Sequence, residues 1–339
     1  MKKILVTGGC GYIGSHTIVD LLENGYEVVS IDNNMRSTLA TIDRIEQITN
    51  KKIKNYVLDL CDLAATEAVF QKEKFYGIIH FAALKSVPES VENPVLYYQN
   101  NLTSLTNLLQ LVEKYQIKNF VFSSSCSVYG NVAKLPVTED TPMAQAESPY
   151  AHTKQIGEEI IQHTSKALAT NFILLRYFNP VGAHESALLG ETPIEGKISN
   201  IVPRITRTAM GQFEKFEAFG KDYPTRDGTC IRDYIHVMDI ANAHTKAMAY
   251  LIENRNNANC EIFNLGTGNG VSVLEAIQSF EKVSGVKLNY VLSPRREGDV
   301  IAIYANNDKA TSLLQWKIKR NIDDMMLTAW EWDKKLMGK

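Results

Sequence analysis

Residues 3–14 of this chain, Lys-Ile-Leu-Val-Thr-Gly-Gly-Cys-Gly-Tyr-Ile-Gly, constrain its fold more than any other stretch. A short apolar run, Ile4 to Val6, stops at glycines and is followed at once by a helical pattern. Physically that is a buried strand, a tight turn and a helix N-terminus. The glycines satisfy two spacings, Gly9-x-Gly11-x-x-Gly14 and Gly8-x-x-Gly11-x-x-Gly14. In such a turn one glycine permits the bend, one lets a pyrophosphate approach the backbone, and one lets helix and strand pack closely. The free N–H groups and positive dipole end of the helix then face the phosphates. Ordinary strand-to-helix turns use glycine too, so the context decides. The helix runs to Asn24-Gly25, a helix-ending pair, and Glu27-Val-Val-Ser-Ile31 is a second apolar strand ending at Asp32. An acid at a strand's end, about twenty residues past the glycines, is placed to accept from a ribose 2′-OH. The pattern predicts dinucleotide binding and favours NAD over NADP, with Arg36 as the nearby group suited to a 2′-phosphate.

Downstream, strand-like and helix-like segments alternate. Ile53–Asp59, Tyr76–Ala83, Ile117–Phe122 and Asn171–Tyr177 read as strands; helical patterns fall near Leu63–Lys74, Pro94–Tyr115 and from Tyr150. This alternation predicts an α/β fold with a Rossmann-type doubly wound parallel sheet and ligands beyond the strands' carboxyl ends. After Pro180 the pattern loosens, with Ile231–Val237 and Glu261–Leu265 as short strands and a helix over Val237–Ile252 between them. Further helices are expected over Val273–Val283 and Ile322–Lys335, and a strand over Lys287–Leu292. The expected division is a nucleotide domain over residues 1–179 and a smaller mixed α/β substrate domain over 180–339, with 237–265 returning to the first sheet.

The chain is long enough, at 339 residues, for a large core and two intimately joined domains. A net charge of −2 with 22% charged residues gives no nucleic-acid or membrane surface. The apolar run after Met1-Lys2-Lys3 ends at Thr7-Gly8 and is needed as the first strand, so no leader peptide is expected. Cys10, Cys61, Cys126, Cys230 and Cys260 are odd in number and scattered, without a C-x-x-C. Reduced thiols in a cytoplasmic protein, and no metal site, are the expectation.

Chemistry is suggested by Ser148-Pro-Tyr150-Ala-His-Thr-Lys154. Pro149 starts a helical pattern, and Tyr150 and Lys154, at i and i+4, share a face. A tyrosine with its usual pKa near ~10 is a poor base; a lysine one turn away and an oxidised nicotinamide favour the phenolate. Tyr-x-x-x-Lys alone also describes a solvated pair on a helix. Its combination with the glycine turn and with Ser125, at the end of the preceding strand, points to hydride chemistry at a hydroxyl.

Thr7–Gly14, Ser123-Ser-Ser125 and Tyr150-x-x-x-Lys154 together resemble the extended short-chain dehydrogenase/reductase family. Arg176–His184, Arg232-Asp-Tyr-Ile-His-Val237, Asn264-Leu-Gly-Thr-Gly268 and Arg295-Arg-Glu-Gly-Asp299 narrow the resemblance, from end to end, to the UDP-glucose 4-epimerase branch. The resemblance implies that UDP-galactose and UDP-glucose interconvert through a 4-keto sugar on a tightly held NAD, in galactose metabolism. By the same resemblance, Tyr150 would take the proton of the 4-OH, Ser125 would position that oxygen, and Lys154 would hold the ribose and tune Tyr150. The family's NAD contacts fall on Gly8, Gly11, Tyr12, Ile13 and Gly14, on Asp32, Asn33, Asn34, Met35, Arg36 and Ser37, and on Asp59 and Leu60. They continue on Phe81, Ala82, Ala83, Leu84 and Lys85, on Asn100, and on Ser125, Tyr150, Lys154 and Phe178. The family's UDP-sugar contacts fall on Ser125, Tyr150, Asn179, Asn200, Glu217, Ala218, Phe219, Arg232, Arg296 and Asp299. Arg232 and Arg296 suit a diphosphate because guanidinium presents paired donors. The family usually forms homodimers, here through about Pro94–Tyr115 and Tyr150–Ala167.

Simpler readings attach to several of these residues. Asp59 could merely end a strand, His80 and the Leu102–Val112 stripe belong in a core, His184 and His236 are structural, and Arg295 is a solvated neighbour. Glu217 and Ala218 would act through their backbone. Three positions depart from the commonest pattern of the family: Cys126-Ser127 for Ala-Thr, Ala83 for a frequent glycine, and Ile303 where residue size varies with tolerance of N-acetylhexosamines. Isoleucine is intermediate, and limited activity on UDP-GlcNAc and UDP-GalNAc is expected. The alternatives are a nucleotide-sugar 4,6-dehydratase or decarboxylase, which would carry acids at positions 126 and 127, and a non-catalytic NAD-binding sensor, which would lose Tyr150 or Lys154.

Overall fold

A computed structural model describes residues 2–132, 134–192, 198, 200–295 and 300–338. The first half alternates as its apolar pattern requires. In chain order it runs β1 (Lys3–Thr7), α1 (Tyr12–Glu23), β2 (Glu27–Ile31), α2 (Ala40–Thr49), β3 (Lys54–Tyr56), α3 (Leu63–Lys72), β4 (Gly77–His80), α4 (Val87–Glu92), α5 (Pro94–Lys114), β5 (Asn119–Ser123), a 3₁₀ turn at Cys126–Tyr129, α6 (Pro149–Thr164) and β6 (Asn171–Tyr177). The remainder is β7 (Asn179–Val181), α7 (Ile201–Ala209), β8 (Phe216–Phe219), β9 (Ile231–Arg232), β10 (Tyr234–His236), α8 (Val237–Ile252), β11 (Cys260–Leu265), β12 (Val271–Ser272), α9 (Val273–Ser284), β13 (Tyr290–Ser293), β14 (Ala302–Ile303), α10 (Asp308–Leu313) and α11 (Ile322–Leu336).

Seven strands form one sheet in the order β11-β6-β5-β4-β1-β2-β3, every pair parallel. Successive strand residues point to opposite faces. Ile4, Val6, Ile79, Val121, Ile173 and Leu175 therefore pack under α1 and α8, while Leu5, Ile78, Phe120, Phe122, Phe172 and Leu174 pack under α3, α5 and α6. Both faces being covered explains why these strands are nearly continuous apolar runs. The order reverses between β1 and β4, so the turn after β1 opens beside the chain leaving β4.

A second layer of short strands and helices sits beyond the sheet's carboxyl edge, around Val202, Ile205, Phe216, Tyr234, Ile277, Phe280, Met325 and Met326. Here β10 pairs with β7, β13 with β8, and β9 with both β12 and β14. The single strand expected over Ile231–Val237 is instead two, β9 and β10, in different sheets. The break falls at Asp233, which is fully buried and accepts from Thr267 N at 2.7 Å, Ala305 N at 3.1 Å and Gly268 N at 3.2 Å. A carboxylate held by three backbone donors turns the chain inward. Residues 260–265 return to the sheet as β11, and α8 lies against α1 on the same face. Among the described residues no helix is long and apolar enough to cross a membrane, and no group of three or more His, Cys, Asp or Glu side chains is arranged to hold a metal ion.

Candidate dinucleotide and sugar site

The glycine turn is forced by contact. Gly8 has φ +69°, and a Cβ there would lie 2.8 Å from Ala82 N, on the chain leaving β4. At Gly14 a Cβ would meet Gly8 O at 2.2 Å, and at Gly9 it would meet Ser30 Oγ of β2 at 2.2 Å. Gly9, absent from the expected contact set, is thus needed for packing the turn on β2. Gly11 is the N-cap of α1 and no side chain caps the helix. The first N–H groups of α1, at Tyr12, Ile13 and Gly14, are therefore left without a capping side chain and suit an anion. Tyr12 itself reaches across the two layers, its hydroxyl donating to Gly182 O at 2.5 Å.

At the end of β2, Asp32 accepts from Cys10 N at 3.0 Å, Asn34 N at 2.9 Å and Ser37 Oγ at 2.8 Å. Two carboxylate oxygens offer about four acceptor sites, so capacity remains for a ribose hydroxyl. Asn34 takes a left-handed turn (φ +55°), and Met35 is exposed. Arg36 pairs with Glu89 of α4 at 2.6 Å, which engages its guanidinium. Asp59 lies three residues beyond the end of β3, which is shorter than the strand expected over Ile53–Asp59, and it accepts from Cys61 N at 2.8 Å and from Asn33 Nδ2 at 3.2 Å. Leu60 is buried beside it. Phe81, Ala82 and Ala83 follow β4 across the mouth of the turn, Leu84 N is fixed by Asn101 Oδ1 at 2.8 Å, and Lys85 reaches Glu191 at 3.0 Å. Asn100 sits half-buried on α5 and Phe178 is buried after β6. An uncapped helix end, a cradle that Cβ atoms would fill, an acid for ribose and an arginine already paired fit NAD.

Helix α6 sets the candidate Tyr-Lys pair. Ser148 caps it by accepting from Ala151 N, and Pro149 occupies its first turn. Tyr150 and Lys154 stand one turn apart, both buried. Burial pushes the Tyr150 phenol well up, Tyr177 adds to this, and the Ser125 hydroxyl draws it down. Ser125 thus adds to the Lys154 and oxidised nicotinamide that the i, i+4 spacing points to as favouring the phenolate. Lys154 Nζ instead donates to Ser123 O at 2.7 Å and lies 4.7 Å from the Phe122 ring centre. Burial lowers it to about 8, against the opposing pull of Glu158. Glu158, the next turn of α6, holds Arg176 of β6 at 2.6 Å in a fully buried pair. Arg176 also donates to Tyr129 Oη at 3.0 Å, and Tyr129 to Asn264 at 2.7 Å. This network is spread over four segments, and no local spacing in the sequence marks it.

On the second layer, Asn179 stands on β7, its N–H held by Asp233 O at 3.0 Å. Arg232 donates from Nη1 to Ile231 O and Val300 O at 2.9 and 2.8 Å. Arg232 and Asp233 come near enough to Cys126 to act on its thiol, which burial pushes up to about 12. Residues from β9 and the serine turn therefore meet. Asn200, at the head of α7, donates to Glu191 at 2.8 Å. Glu217, Ala218 and Phe219 lie on β8, with Glu217 outward and Ala218 buried. Arg296 and Asp299 lie outside the described residues. Arg295 pairs with Asp222 at 2.9 Å and stacks 4.2 Å over Tyr223. A cleft joins Tyr12, Asn179 and Gly182 to Glu191, Asn200 and Trp332. Glu191 and Trp332 were not foreseen; the one is a polar residue in a glycine-rich stretch, the other an aromatic in a terminal helix, and neither carries a motif.

A parallel sheet with an uncapped glycine turn, and a buried Ser-Tyr-Lys group at its edge, is the arrangement of the short-chain dehydrogenase/reductase class. The family model described as GDP-mannose 4,6 dehydratase matches residues 5–328. UDP-glucose 4-epimerase 2 of Arabidopsis thaliana is 45% identical over 335 residues, 98% of this chain and 95% of that protein. The crystal structure of a UDP-glucose 4-epimerase from Stenotrophomonas maltophila, with NAD and formylated UDP-arabinopyranose, superposes with a TM-score of 0.96 at 39% identity, covering 100% of this chain and 99% of the other. That of Bifidobacterium longum, in complex with NAD+ and UDP, gives 0.92 at 44% identity, covering 98% of each. The chain belongs to the UDP-glucose 4-epimerase family, within the extended short-chain dehydrogenases/reductases.

Proposed function

We propose that this protein interconverts UDP-galactose and UDP-glucose by inverting C4, with NAD retained throughout. The observation that carries this is the burial of Ser125, Tyr150 and Lys154 together beside the uncapped turn, with Cys126 and Ser127 where an elimination would need acids. Tyr150 serves as base toward the sugar's 4-OH and later returns the proton, so one residue works in both directions. Ser125 donates toward the oxygen that carries developing charge. Lys154, with its pKa near 8, stays mostly protonated at neutral pH and offers a cation to the cofactor ribose. When bound, NAD supplies the acceptor for the C4 hydride and the donor that returns it to the opposite face. The sum has no net redox change, so the fold needs no route for cofactor exchange. Gly8, Gly11, Tyr12, Ile13, Gly14 and Asp32 are assigned to NAD, and Asn179, Asn200 and Arg232 to the UDP moiety. The division into a nucleotide unit over 1–179 with its returning segment and a sugar unit over 180–339 is part of this reading.

Operation in the cytoplasm is supported by five cysteines that form no disulfide. Homodimer formation through α5 and α6 is supported by exposed Val91, Val95 and Leu96 at the α4–α5 junction. Slow turnover of UDP-GlcNAc is proposed because Ile303 is buried beside Phe178 and takes up space without filling it as an aromatic would.

The decisive experiment incubates purified protein with UDP-galactose, without added cofactor. The expected result is conversion to UDP-glucose that stops at a fixed ratio, with Tyr150→Phe slower by about a thousandfold. Accumulation of a 4-keto-6-deoxy sugar or of a pentose would replace this reading by the dehydratase or decarboxylase one.

A further inference from the structure

Ser125 leaves β5 in extended conformation (φ −153°) and caps the adjoining 3₁₀ turn. Its oxygen accepts from the Ser127 N–H at 3.2 Å and from the Ser127 hydroxyl at 3.0 Å. A serine hydroxyl has one proton and two acceptor lone pairs. With both pairs engaged by one residue, the only bonding capacity left to Ser125 is its own proton. Ser124 and Ser123 on its other side are committed elsewhere, to Glu158 and to Tyr177.

We infer that Ser127 is a positioning residue for the reaction: by occupying the acceptor sites of Ser125, it makes Ser125 an obligate hydrogen-bond donor toward the Tyr150 oxygen and the substrate oxygen beside it. The observed chain of donors runs from Ser127 to Ser125, and the proposal extends it through the remaining Ser125 proton to the Tyr150 oxygen. A donor aimed at Tyr150 stabilises the phenolate, the form able to act as a base. Without the Ser127 hydroxyl, Ser125 is able to turn and accept from the Tyr150 O–H, which stabilises the inactive phenol. No proton is transferred by Ser127; it fixes a rotor. The other groups that face Tyr150 are Tyr177 from β6, Tyr97 from α5, Cys126 from the turn and Lys154 on the same helix. None of them bonds the Ser127 hydroxyl, so its removal leaves their contributions in place.

This assignment rests on the proposed epimerisation, and its test separates the two. Ser127→Ala and Ser127→Thr are compared with the parent protein on UDP-galactose across pH. The ultraviolet titration of the tyrosines is recorded in parallel, with Tyr150→Phe subtracted to isolate one phenol. For Ser127→Ala the expected result is a kcat lower by about tenfold at neutral pH and a KM within about twofold. The ascending limb of kcat and the phenol titration should both move about one pH unit upward. Ser127→Thr, which keeps the hydroxyl, should return both toward the parent. A Ser127→Ala protein with the parent's midpoint, whether or not its kcat falls, overturns the assignment, as does a threonine variant that restores neither quantity. A parent protein that fails to epimerise would instead remove the functional reading, while the phenol titration would still decide the role of Ser127.

Discussion

The sheet and the layer beyond it are built on different principles. In the sheet, apolar strands are buried on two faces, and each face is read off alternate residues such as Leu5 and Val6 or Phe172 and Ile173. In the second layer the strands are two to four residues long and pair with partners far along the chain, as β8 does with β13. Its order depends on buried carboxylates. Asp233 gathers Thr267, Gly268 and Ala305; Asp333 of α11 holds Arg207 of α7 at 2.9 Å; Asp239 of α8 takes Lys319 N and Arg320 N at 3.0 and 3.1 Å. Oily contact is tolerant of small errors, whereas a carboxylate with three donors is not. The second layer is therefore also the one most exposed to a single polar deletion.

Acid tests the comparison most severely. His80 and His244 belong to the sheet and its covering helix, while His16 and His236 lie at the seam, close to one another, to His184 and to Arg320. Burial lowers these four to about 3 (His80), 4 (His244), 4 (His16) and 3 (His236). An unfolded histidine titrates near ~6.5. Between the two values the unfolded chain binds more protons, so stability is present above about pH 6.5 and is lost as pH falls toward 4. We expect a loss of about 7 kcal/mol between pH 7 and pH 5, about 2 from each of the four, read from urea unfolding at each pH. A flat profile would mean that the histidines are not held neutral by burial. Hydrogen exchange at pH 5 should show the seam opening before the sheet.

Single deletions come next. Asp233→Ala strands three backbone donors in the interior, and about 4 kcal/mol is expected from urea unfolding. Leu174→Ala, in the fully buried sheet, should cost about 3 kcal/mol and leave the second layer intact. If Leu174→Ala proves the more damaging for UDP binding, the polar-hub account of the second layer is wrong.

The smallest effect sharpens the comparison at the site itself. Ile303 of β14 packs with Phe178 and Tyr129, where the two regions meet. Ile303→Ala should raise kcat/KM for UDP-GlcNAc relative to UDP-galactose by about fivefold, or ~1 kcal/mol. An unchanged ratio would place the selectivity elsewhere.

Legibility divides along the same line. The run from Lys3 to Gly14, the cap at Ser148 and the pair Tyr150–Lys154 are readable because each is a local pattern whose physics is complete within a few residues. Helix α8 is bounded in the sequence as observed, Val237–Ile252, for the same reason. Helices α2, α4 and α7 are not legible there: α2 is polar on most of its surface, α4 has only six residues, and α7 starts beyond a loosened, glycine-rich stretch. The continuous strand expected at 231–237 fails because its apolar pattern says nothing of Asp233, whose donors come from residues 267, 268 and 305.

By itself, then, the sequence determined the parallel sheet, the glycine turn and the helix that carries Tyr150 and Lys154, since period, glycine spacing and helix capping act over a few residues. Only the tertiary structure decided which groups act on Tyr150, that Arg36 is paired by Glu89, and that Ser125 has its acceptor sites filled by Ser127. Those outcomes depend on burial and on hydrogen-bond saturation, which belong to the packed chain and to no segment of it.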